Sequence, residues 1–396
     1  MNADRINALF VNHAGQLGGA EINLLELLSK LKVNKKVVLF ESGPLLERLE
    51  LQGIDVRVID AGKDLFQLAC DTPLLRRATG LRDIPRALSQ LVSIASDCDL
   101  IYVNTKKALL LALLTARLTR RPLVWNQQDE MRSPKGLSLR EKLSEHSLVT
   151  LLNRYGSRIF SVSKACAESF VSAGGRPELP VVLYTGLDPV GFGSHGDRKA
   201  IRLRAGLPAD VPLIGCFGRI TISKGQRVLL DAMSRVPGAH VAFVGGPILA
   251  ERGFLESLQS LTTSLGLSDR VHFLGFRDNV PELMSAVDVV AHPSLTFDPC
   301  PRVVLETLHS GIPLVATSVG GVPEMVESGA SGLIVPPSDP VSFANALRCL
   351  LEDRELAMRL ASNGRRRAQA LFTLDRLARE VEREMSLLVD THGIGS

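Results

Sequence analysis

Long apolar runs and aromatic residues are scarce in this sequence of 396 residues. The longest apolar run, Ala108–Leu114, is far shorter than the roughly 20 residues that a membrane-spanning helix needs. Aromatic residues make up 5% of the chain, and Tyr102 alone falls in the basic stretch 72–121, whereas proteins that bind single-stranded nucleic acid combine basic and aromatic side chains. These shortages argue against an integral membrane protein and against a nucleic-acid partner.

Closely spaced cysteines are missing as well. No C-x-x-C pair occurs among the six cysteines, which are Cys70, Cys98, Cys166, Cys216, Cys300 and Cys349. This spacing does not suit a structural zinc site, and a chain of this length needs no disulfide framework. The sequence runs from Met1 directly into a strand-like segment, Ile6–Val11, without the basic and apolar regions of a secretory signal. We therefore expect reduced thiols and a cytoplasmic location.

Charge is nearly balanced overall but is uneven along the chain. The formal net charge is +4, yet the segment from Thr72 to Arg121 contains nine basic residues and only three acidic ones. Such a segment suits anionic lipid headgroups or an acidic acceptor, and a solvated surface is the alternative interpretation. Peripheral contact with the inner face of a membrane would use Arg76, Arg77, Lys106, Lys107, Arg120 and Arg121.

Short apolar runs alternate with helical patterns through two halves of the chain. Strands are predicted at 6–11, 37–40, 56–59, 100–103, 123–125, 159–162 and 181–184, and again at 213–217, 241–244, 271–274, 287–291, 314–317 and 333–335. Near-continuous apolar strands with helices between them are typical of parallel sheets covered on both faces, which predicts doubly wound α/β domains. The segment Gly186–Lys199 has the composition of a linker, and Leu374–Val389 is an amphipathic, charged helix.

A glycine-rich turn follows the first predicted strand. Gly15, Gly18 and Gly19 precede a helix, whose first N–H groups can bind an anion. The spacing is not the dinucleotide-binding G-x-G-x-x-G, so a structural turn and a phosphate-binding loop both fit.

Two cations follow the first strand of the second half. Arg219 comes after the strand 213–217, and Lys224 stands five residues later at the start of a helix. Beside helix N–H groups, two such side chains can bind a diphosphate, and this edge of a parallel sheet is where α/β ligands bind. Solvated surface charges are the alternative.

Two carboxylates flank a later helix start. Asp298 closes a loop after a strand, and Glu306 lies inside the next helix after seven intervening residues. Burying Glu306 between Leu305 and Leu308 would cost free energy without hydrogen-bond partners. Ribose hydroxyls would satisfy it, and so would a structural N–H or an arginine.

Together these motifs resemble glycosyltransferase family 4, and the similarity extends over nearly the whole chain. The E-x7-E motif of the family corresponds to Asp298 and Glu306, its donor-phosphate cations to Arg219 and Lys224, and its G-G-A-E to Gly18–Glu21. Two further family segments correspond to Gly320–Glu324 and Val287–Ser294.

The resemblance implies the GT-B fold, in which two Rossmann-like domains face each other across a cleft. Residues 1–187 would form the acceptor-side domain, 188–371 the nucleotide-sugar domain, and 372–396 a helix that packs back on the first domain. The implied activity is retaining transfer from a UDP or GDP sugar to a hydroxyl of a sugar, a lipid-linked or a small-molecule acceptor, in polysaccharide, glycolipid or glycoconjugate biosynthesis. No cofactor or metal is implied, because the two cations neutralise the diphosphate.

The resemblance also implies roles for individual residues. Glu306 would bind the ribose, Asp298 with the N–H of Cys300 would hold the donor sugar, and Phe276 would lie near the base. The donor-binding set is Gly18, Gly19, Arg219, Lys224, Phe276, Asp298, Cys300 and Glu306, and the catalytic set is Asn126, Arg219, Lys224 and Asp298.

Three positions depart from the family pattern. Asp298 replaces the usual Glu, Thr185 replaces an Asn, and Asn126 stands where relatives commonly have a His. We expect the Asn126 side chain to face the cleft and orient the donor sugar. The first alternative is a non-catalytic nucleotide-sugar-binding protein, which Asn126 and Asp298 would favour. A second is an NAD-dependent oxidoreductase, against which the missing G-x-G-x-x-G counts.

Overall fold

The computed structural model describes residues 6–60, 74–131, 139–193, 196–247 and 251–393. The chain divides into two compact units, one formed by Met1–Gly186 with Leu374–Ser396 and the other by Leu187–Thr373. Each unit contains one parallel β-sheet with helices around it. In the described part of the chain, no helix has the length and apolar character needed to cross a membrane.

Seven parallel strands form the sheet of the first unit, in the order β3-β2-β1-β4-β5-β6-β7. They are β1 (Asn7–Asn12), β2 (Asn34–Leu39), β3 (Asp55–Val58), β4 (Leu100–Val103), β5 (Leu123–Gln127), β6 (Arg158–Ser161) and β7 (Pro180–Val182). The strand order reverses between β1 and β4, and the carboxyl ends of strands at such a point form the crevice in which α/β ligands bind.

The helices of the first unit cover both faces of this sheet. They are α1 (Gly19–Lys30), α2 (Pro44–Leu51), α3 (Leu74–Ser96), α4 (Leu109–Thr119), α5 (Leu139–Tyr155), α6 (Lys164–Ser172) and α15 (Leu374–Thr391). Successive strand residues point to opposite faces, so Leu9 and Val11 join one core cluster and Phe10 joins the other.

The C-terminal helix α15 packs on the first unit. Its apolar stripe, which includes Val381 and Met385, is buried in the same cluster as Phe10 and the α1 residue Leu28. An amphipathic helix gains most of its stability from such burial, so α15 is part of the first unit although it follows the second in sequence.

Six parallel strands form the sheet of the second unit, in the order β10-β9-β8-β11-β12-β13. They are β8 (Leu213–Phe217), β9 (His240–Val244), β10 (Val271–Gly275), β11 (Val289–His292), β12 (Leu314–Thr317) and β13 (Leu333–Val335). Around them lie α7 (Arg198–Arg204), α8 (Gln226–Met233), α9 (Arg252–Ser264), α10 (Val280–Ser285), α11 (Arg302–Ser310), α12 (Val322–Met325), α13 (Pro340–Glu352) and α14 (Arg354–Leu371). The strand order reverses between β8 and β11. The expected pair of doubly wound α/β domains is confirmed.

Candidate functional site

The two cations predicted in the second unit lie on the loop after β8. Arg219 is exposed, and its carbonyl oxygen accepts a 2.8 Å hydrogen bond from Nε2 of the buried Gln226. A 3-10 turn, Ile222–Lys224, then leads into α8. The side chain of Lys224 is 25% exposed to solvent. The loop therefore presents one solvated and one half-buried cation at the carboxyl end of the central strand.

Gly225 allows this loop to lie against the loop after β11. Its φ of 69° is in the left-handed region, and a Cβ at this position would lie 1.9 Å from the carbonyl oxygen of Pro293. The backbone N–H of Leu295 donates to the carbonyl oxygen of Ser223 at 2.8 Å. Contacts between backbones therefore hold the two loops together where the strand order reverses.

These loops bring Lys224 and Asp298 into direct contact. Nζ of Lys224 lies 2.5 Å from Oδ2 of Asp298, Ser294 Oγ donates to the same oxygen at 3.1 Å, and His292 Nε2 lies 3.2 Å from it. Burial by itself would raise the pKa of Asp298, but the contacts of His292 and the ammonium of Lys224 outweigh burial and hold the pKa well below its usual range. Asp298 is therefore an ionised hydrogen-bond acceptor at neutral pH.

The paired glycines after β12 fix the backbone of Asp298. Gly321 donates its N–H to the carbonyl oxygen of Asp298 at 2.9 Å. Gly320 has a φ of 53°, and a Cβ there would lie 2.2 Å from the same oxygen. Thr317 adds a 2.6 Å hydrogen bond from Oγ1 to the carbonyl oxygen of Ser294. The segment Gly320–Glu324, identified from its sequence motif, thus supports the loop that carries the carboxylate.

Glu306 lies on α11, and an arginine of the same helix is its neighbour. Nε of Arg302 donates to Oε1 of Glu306 at 3.0 Å, with 20% and 14% of the two side chains exposed. An arginine is the structural partner that the sequence allowed. A carboxylate has about four lone-pair positions, so the contact with Arg302 does not by itself exclude hydrogen bonds from ribose hydroxyls. Both interpretations of Glu306 therefore remain predictions.

Two other predicted donor-binding residues flank this region. Cys300 is partly buried in the loop that precedes α11. Phe276 follows β10 and is 81% exposed, which is unusual for an aromatic side chain in a folded domain. An exposed ring beside the carboxyl edge of the sheet provides a flat apolar surface.

Sequence reasoning overlooked His292, the last residue of β11. Its side chain is buried beside Asp298, although the residue belongs to a segment that had been assigned only by its motif. A titratable side chain at the carboxyl end of a parallel strand was the available signal. Only the folded structure shows that His292 contacts Asp298 and therefore belongs to the site.

In the first unit, Asn126 belongs to a network of amide side chains. Asn104 Nδ2 donates to Asn12 Oδ1 at 3.0 Å, and Asn104 Oδ1 accepts from Asn126 Nδ2 at 3.1 Å and from Gln128 Nε2 at 3.0 Å. These residues lie at the carboxyl ends of β1, β4 and β5, or directly after them. The network joins three strands at the reversal of strand order, and of its members sequence reasoning had singled out only Asn126.

Asn126 also lines a small, partly open cavity of about 20 Å³. Thr185, another departure from the family pattern, lines the same cavity, together with Tyr102 and the α15 residue Val381. The cavity is too small for a sugar ring. Asn126 is itself only partly buried, and its predicted role in orienting a donor sugar stays a prediction.

Gly18 and Gly19 lie at the start of α1. The N–H of Gly18 donates to Oε2 of Glu21 at 3.2 Å, which satisfies a donor at the helix start. Burial raises the pKa of Glu21, although hydrogen bonds from Asn12 and Gly18 partly offset it. A Cβ added at Gly19 would meet no atom within 4 Å. The hydrogen bond between Gly18 and Glu21 supports the interpretation as a structural turn. The space beside Gly19 contains no other atom, so a phosphate-binding loop stays a prediction.

His13 is a second histidine that the sequence analysis did not select. Its Nδ1 lies 2.9 Å from Oγ1 of Thr105, just beyond β1. Burial and then the charge of Lys107 lower the pKa of His13 to about 4. The ring is therefore neutral at physiological pH and can act as a hydrogen-bonding group beside the amide network.

No group of three or more His, Cys, Asp or Glu side chains among the described residues is arranged to hold a metal ion. The sequence Asp97-Cys98-Asp99 forms the turn that precedes β4. There, Asp99 Oδ2 accepts the backbone N–H of Asn7 at 2.7 Å, and burial raises the pKa of the Cys98 thiol to about 11.

Of the basic residues proposed for membrane contact, the four whose side chains the structure describes lie in two separate places. Lys106 and Lys107 precede α4, and Arg120 and Arg121 follow it. The helix between them is about 16 Å long at 1.5 Å per residue. Lys106 is also paired with Glu145 at 2.5 Å. The side chains of Arg76 and Arg77 lie outside the described residues.

Comparison with known families gives two matches that together extend over most of the chain. The family described as Glycosyltransferase Family 4 matches residues 18–190, and the one described as Glycosyl transferases group 1 matches residues 197–367. The two matches fall on the first and second units.

Among solved structures, the chain is similar to Anabaena HepE in complex with UDP, with 32% identity and a TM-score of 0.84 over 96% of this chain and 100% of that one. A HepE complex with UDP-glucose superimposes with a TM-score of 0.83. The D-inositol 3-phosphate glycosyltransferase of Mycolicibacterium smegmatis is 34% identical over 209 residues, 52% of this chain and 48% of that enzyme. The lipopolysaccharide core biosynthesis glycosyltransferase LpsE of Rhizobium meliloti is 34% identical over 163 residues, 41% and 46% of the two chains. The chain thus spans about half the length of these two curated relatives.

Proposed function

This chain belongs to glycosyltransferase family 4, and we propose that it transfers a sugar from a nucleoside diphosphate carrier to an acceptor hydroxyl, with retention at the anomeric carbon. The observation that carries the proposal is the contact between the ionised Asp298, on the loop after β11, and Lys224, whose loop after β8 also bears Arg219. Cations suited to phosphate and an acceptor suited to sugar hydroxyls thus occur at one sheet edge.

Arg219 and Lys224 would stabilise the departing diphosphate. Negative charge develops on the leaving phosphate as the bond to the sugar breaks, and fixed cations beside it lower the barrier. Lys224 already has a carboxylate partner, so binding of the donor would share or exchange that pair. Because these cations supply the neutralising charge, we propose that transfer needs no metal ion.

Asp298 would position the donor sugar and would not transfer a proton. Its depressed pKa leaves the carboxylate ionised across the physiological range, which makes it a poor general acid or base near neutral pH. An ionised carboxylate only accepts hydrogen bonds, and sugar hydroxyls donate them. The proton of the acceptor hydroxyl would then pass to the leaving phosphate. Glu306 would accept hydrogen bonds from the ribose beside Arg302.

UDP-glucose is the donor to test first. HepE, which aligns with 96% of this chain, has been solved with UDP and with UDP-glucose. For the acceptor we propose a hydroxyl compound in glycan or glycolipid assembly. The names of the two curated relatives refer to the lipopolysaccharide core and to D-inositol 3-phosphate.

The test combines binding with turnover. UDP and UDP-glucose should raise the melting temperature of the protein more than GDP does, while NAD should leave it unchanged, since a ligand stabilises only the folded state that binds it. Release of UDP from UDP-glucose, in the presence of a sugar or lipid-linked acceptor and of excess chelator, should then be measured. Protection by NAD alone, or turnover that is abolished by chelator and restored by magnesium, would overturn the proposal.

A nucleotide-sugar-binding protein without catalysis is the second candidate. Asp298 favours it, because its side chain is one methylene shorter than that of the Glu usual in the family and its carboxylate is engaged by Lys224. The same experiment separates the two functions. A binder would be stabilised by UDP-glucose but would release no UDP by transfer or by hydrolysis.

A further inference from the structure

An open pocket of about 570 Å³ lies at the amino-terminal edge of the first sheet. Its walls come from the last residues of α4, α5 and α15 and from the starts of β5 and β6, around Pro122 and Arg158. This edge is opposite to the one that carries the amide network and Gly18. The pocket is therefore separate from the elements assigned to the transfer reaction.

Arginine dominates the wall of this pocket. Six guanidinium groups line it, from Arg117, Arg120, Arg121, Arg154, Arg158 and Arg176, against the single carboxylate of Glu178. That carboxylate is already paired with Arg176 at 2.7 Å. Glu384, just outside the wall, lies 4.0 Å from Arg158 and also contacts Arg383 at 3.0 Å.

Helix dipoles account for only part of this accumulation of charge. Cations are favoured near helix C-termini, and three helices end here, each carrying a partial charge of about −0.5. The dipoles together contribute roughly −1.5. Even with Glu178 and Glu384 included, more than two positive charges stay uncompensated at this edge.

Two of the guanidinium groups have unmet hydrogen-bonding capacity. Nε of Arg121 and Nε of Arg158 are buried and have no hydrogen-bond partner among the described residues. The other donors of these groups reach the carbonyl oxygens of Ser96 at 2.9 Å and Glu178 at 3.3 Å. Nε of Arg158 faces Glu384 at 4.0 Å, beyond hydrogen-bond distance, and Arg121 has no carboxylate partner in the described structure. Buried donors are nearly always paired in folded proteins, so an acceptor from outside the chain is indicated for Arg121.

Arg117 and Arg154 share a single aromatic ring. Each guanidinium carbon lies 5.6 Å from the centre of the Tyr155 ring, and neither side chain has a carboxylate partner in the described structure. Two like charges gathered on one ring repel each other unless an anion lies between them.

The backbone next to this pair is also unusual. Arg120 has φ 58° and ψ 24°, the left-handed conformation at the C-terminus of α4. Glycine or asparagine normally takes that position, because other side chains are strained there. Ser338 is the one other non-glycine residue with positive φ in the described chain. The strained turn places a cation at the rim of the pocket, and such strain clusters at functional sites.

We propose that this arginine pocket binds a phosphate-bearing anion with two or more negative charges. The volume suits a diphosphate with a small organic group, and planar guanidinium groups bind phosphate oxygens in pairs. The same chemistry is offered by free phosphorylated compounds and by the headgroups of anionic phospholipids. The assignment does not depend on the proposed transfer reaction.

Titration of pyrophosphate into the full chain at low ionic strength tests the site. The exposed pair Arg117→Gln with Arg154→Gln should weaken binding at least about tenfold, the effect of losing one charge-assisted hydrogen bond. Arg48→Gln with Arg57→Gln is the matched control, since it removes two exposed charges elsewhere in the same unit. Arg219→Ala with Lys224→Ala should leave this binding in place, which separates it from any binding by the donor cations.

Vesicles of phosphatidylcholine, with and without phosphatidylglycerol, distinguish the two sources of the anion. Pyrophosphate binding without vesicle binding identifies a free compound, and co-sedimentation that requires phosphatidylglycerol and is lost in the Arg117→Gln/Arg154→Gln variant identifies a headgroup. The proposal is overturned if neither ligand binds, or if the control pair weakens binding as much as the pocket pair.

Discussion

The ammonium of Lys224 lies 2.5 Å from the carboxylate of Asp298, although 74 positions separate the two residues in sequence. One residue belongs to the loop after β8 and the other to the loop after β11. Their contact joins the group proposed for the donor phosphate to the group proposed for the donor sugar. A substitution of either residue therefore removes a charged partner of the other.

Removing either loop cation should slow transfer with little loss of fold. A charge-assisted hydrogen bond contributes about 1.5–3 kcal/mol, so Arg219→Ala and Lys224→Ala should each lower kcat/KM by roughly ten- to a hundredfold. Arg227→Ala, an exposed cation on α8, is the control and should leave the rate unchanged. Near-normal rates in both loop variants would remove these cations from the mechanism.

Asp298 should make the protein less stable as the pH falls into the acid range. Its pKa is depressed in the folded state, so its stabilisation is fully present above the unfolded value of about 3.9 and is lost as the pH falls towards the folded value. Asp298→Asn should therefore lower the urea midpoint near neutral pH, and the gap to the native chain should narrow below about pH 4.

Urea unfolding at a series of pH values measures this gap, with Asp269→Asn, at an exposed position, as the control. A gap that stays constant down to acid pH would mean that Asp298 stabilises the fold through contacts that do not depend on its charge.

Glu306→Gln should weaken donor binding more than it weakens the fold. An amide keeps the shape of the carboxylate but accepts more weakly from hydroxyls, so the Kd for UDP should rise by about tenfold. Arg302→Gln is the matched variant, because it removes the intrahelical partner of Glu306 and leaves the carboxylate. If both variants lower the melting temperature equally and neither changes the Kd for UDP, Glu306 only stabilises helix α11 and does not bind the donor.

Asn126→Ala should lower the melting temperature measurably and the rate of transfer only slightly. The substitution removes one side-chain hydrogen bond to Asn104, a loss of about 1 kcal/mol, and should lower the melting temperature by a few degrees. Gln128→Ala, which removes a donor to the same oxygen, should behave alike. A tenfold loss of transfer at an unchanged melting temperature would instead show that Asn126 acts on the donor or the acceptor.

Much of the fold was readable from the sequence because its signals are local. Runs such as Leu213–Phe217 are apolar throughout, which marks strands covered on both faces, and each was found within a few residues of its place. The motifs taken together, from Gly18–Glu21 through Arg219 and Lys224 to Asp298 and Glu306, were sufficient to identify the family.

Tertiary structure decided which side chains meet. The contacts of His292 with Asp298, of Asn126 with Asn104, and of the arginines that gather beside Tyr155 all join residues from different strands, loops or helices. Burial and the charges of neighbours set the pKa of a group, and neither is encoded in the spacing of one motif. The sequence by itself thus determined the two sheets and their chemistry at the strand ends. The folded chain determined that Asp298 is ionised, that Asn126 donates to Asn104 within an amide network, and that six arginines share one edge.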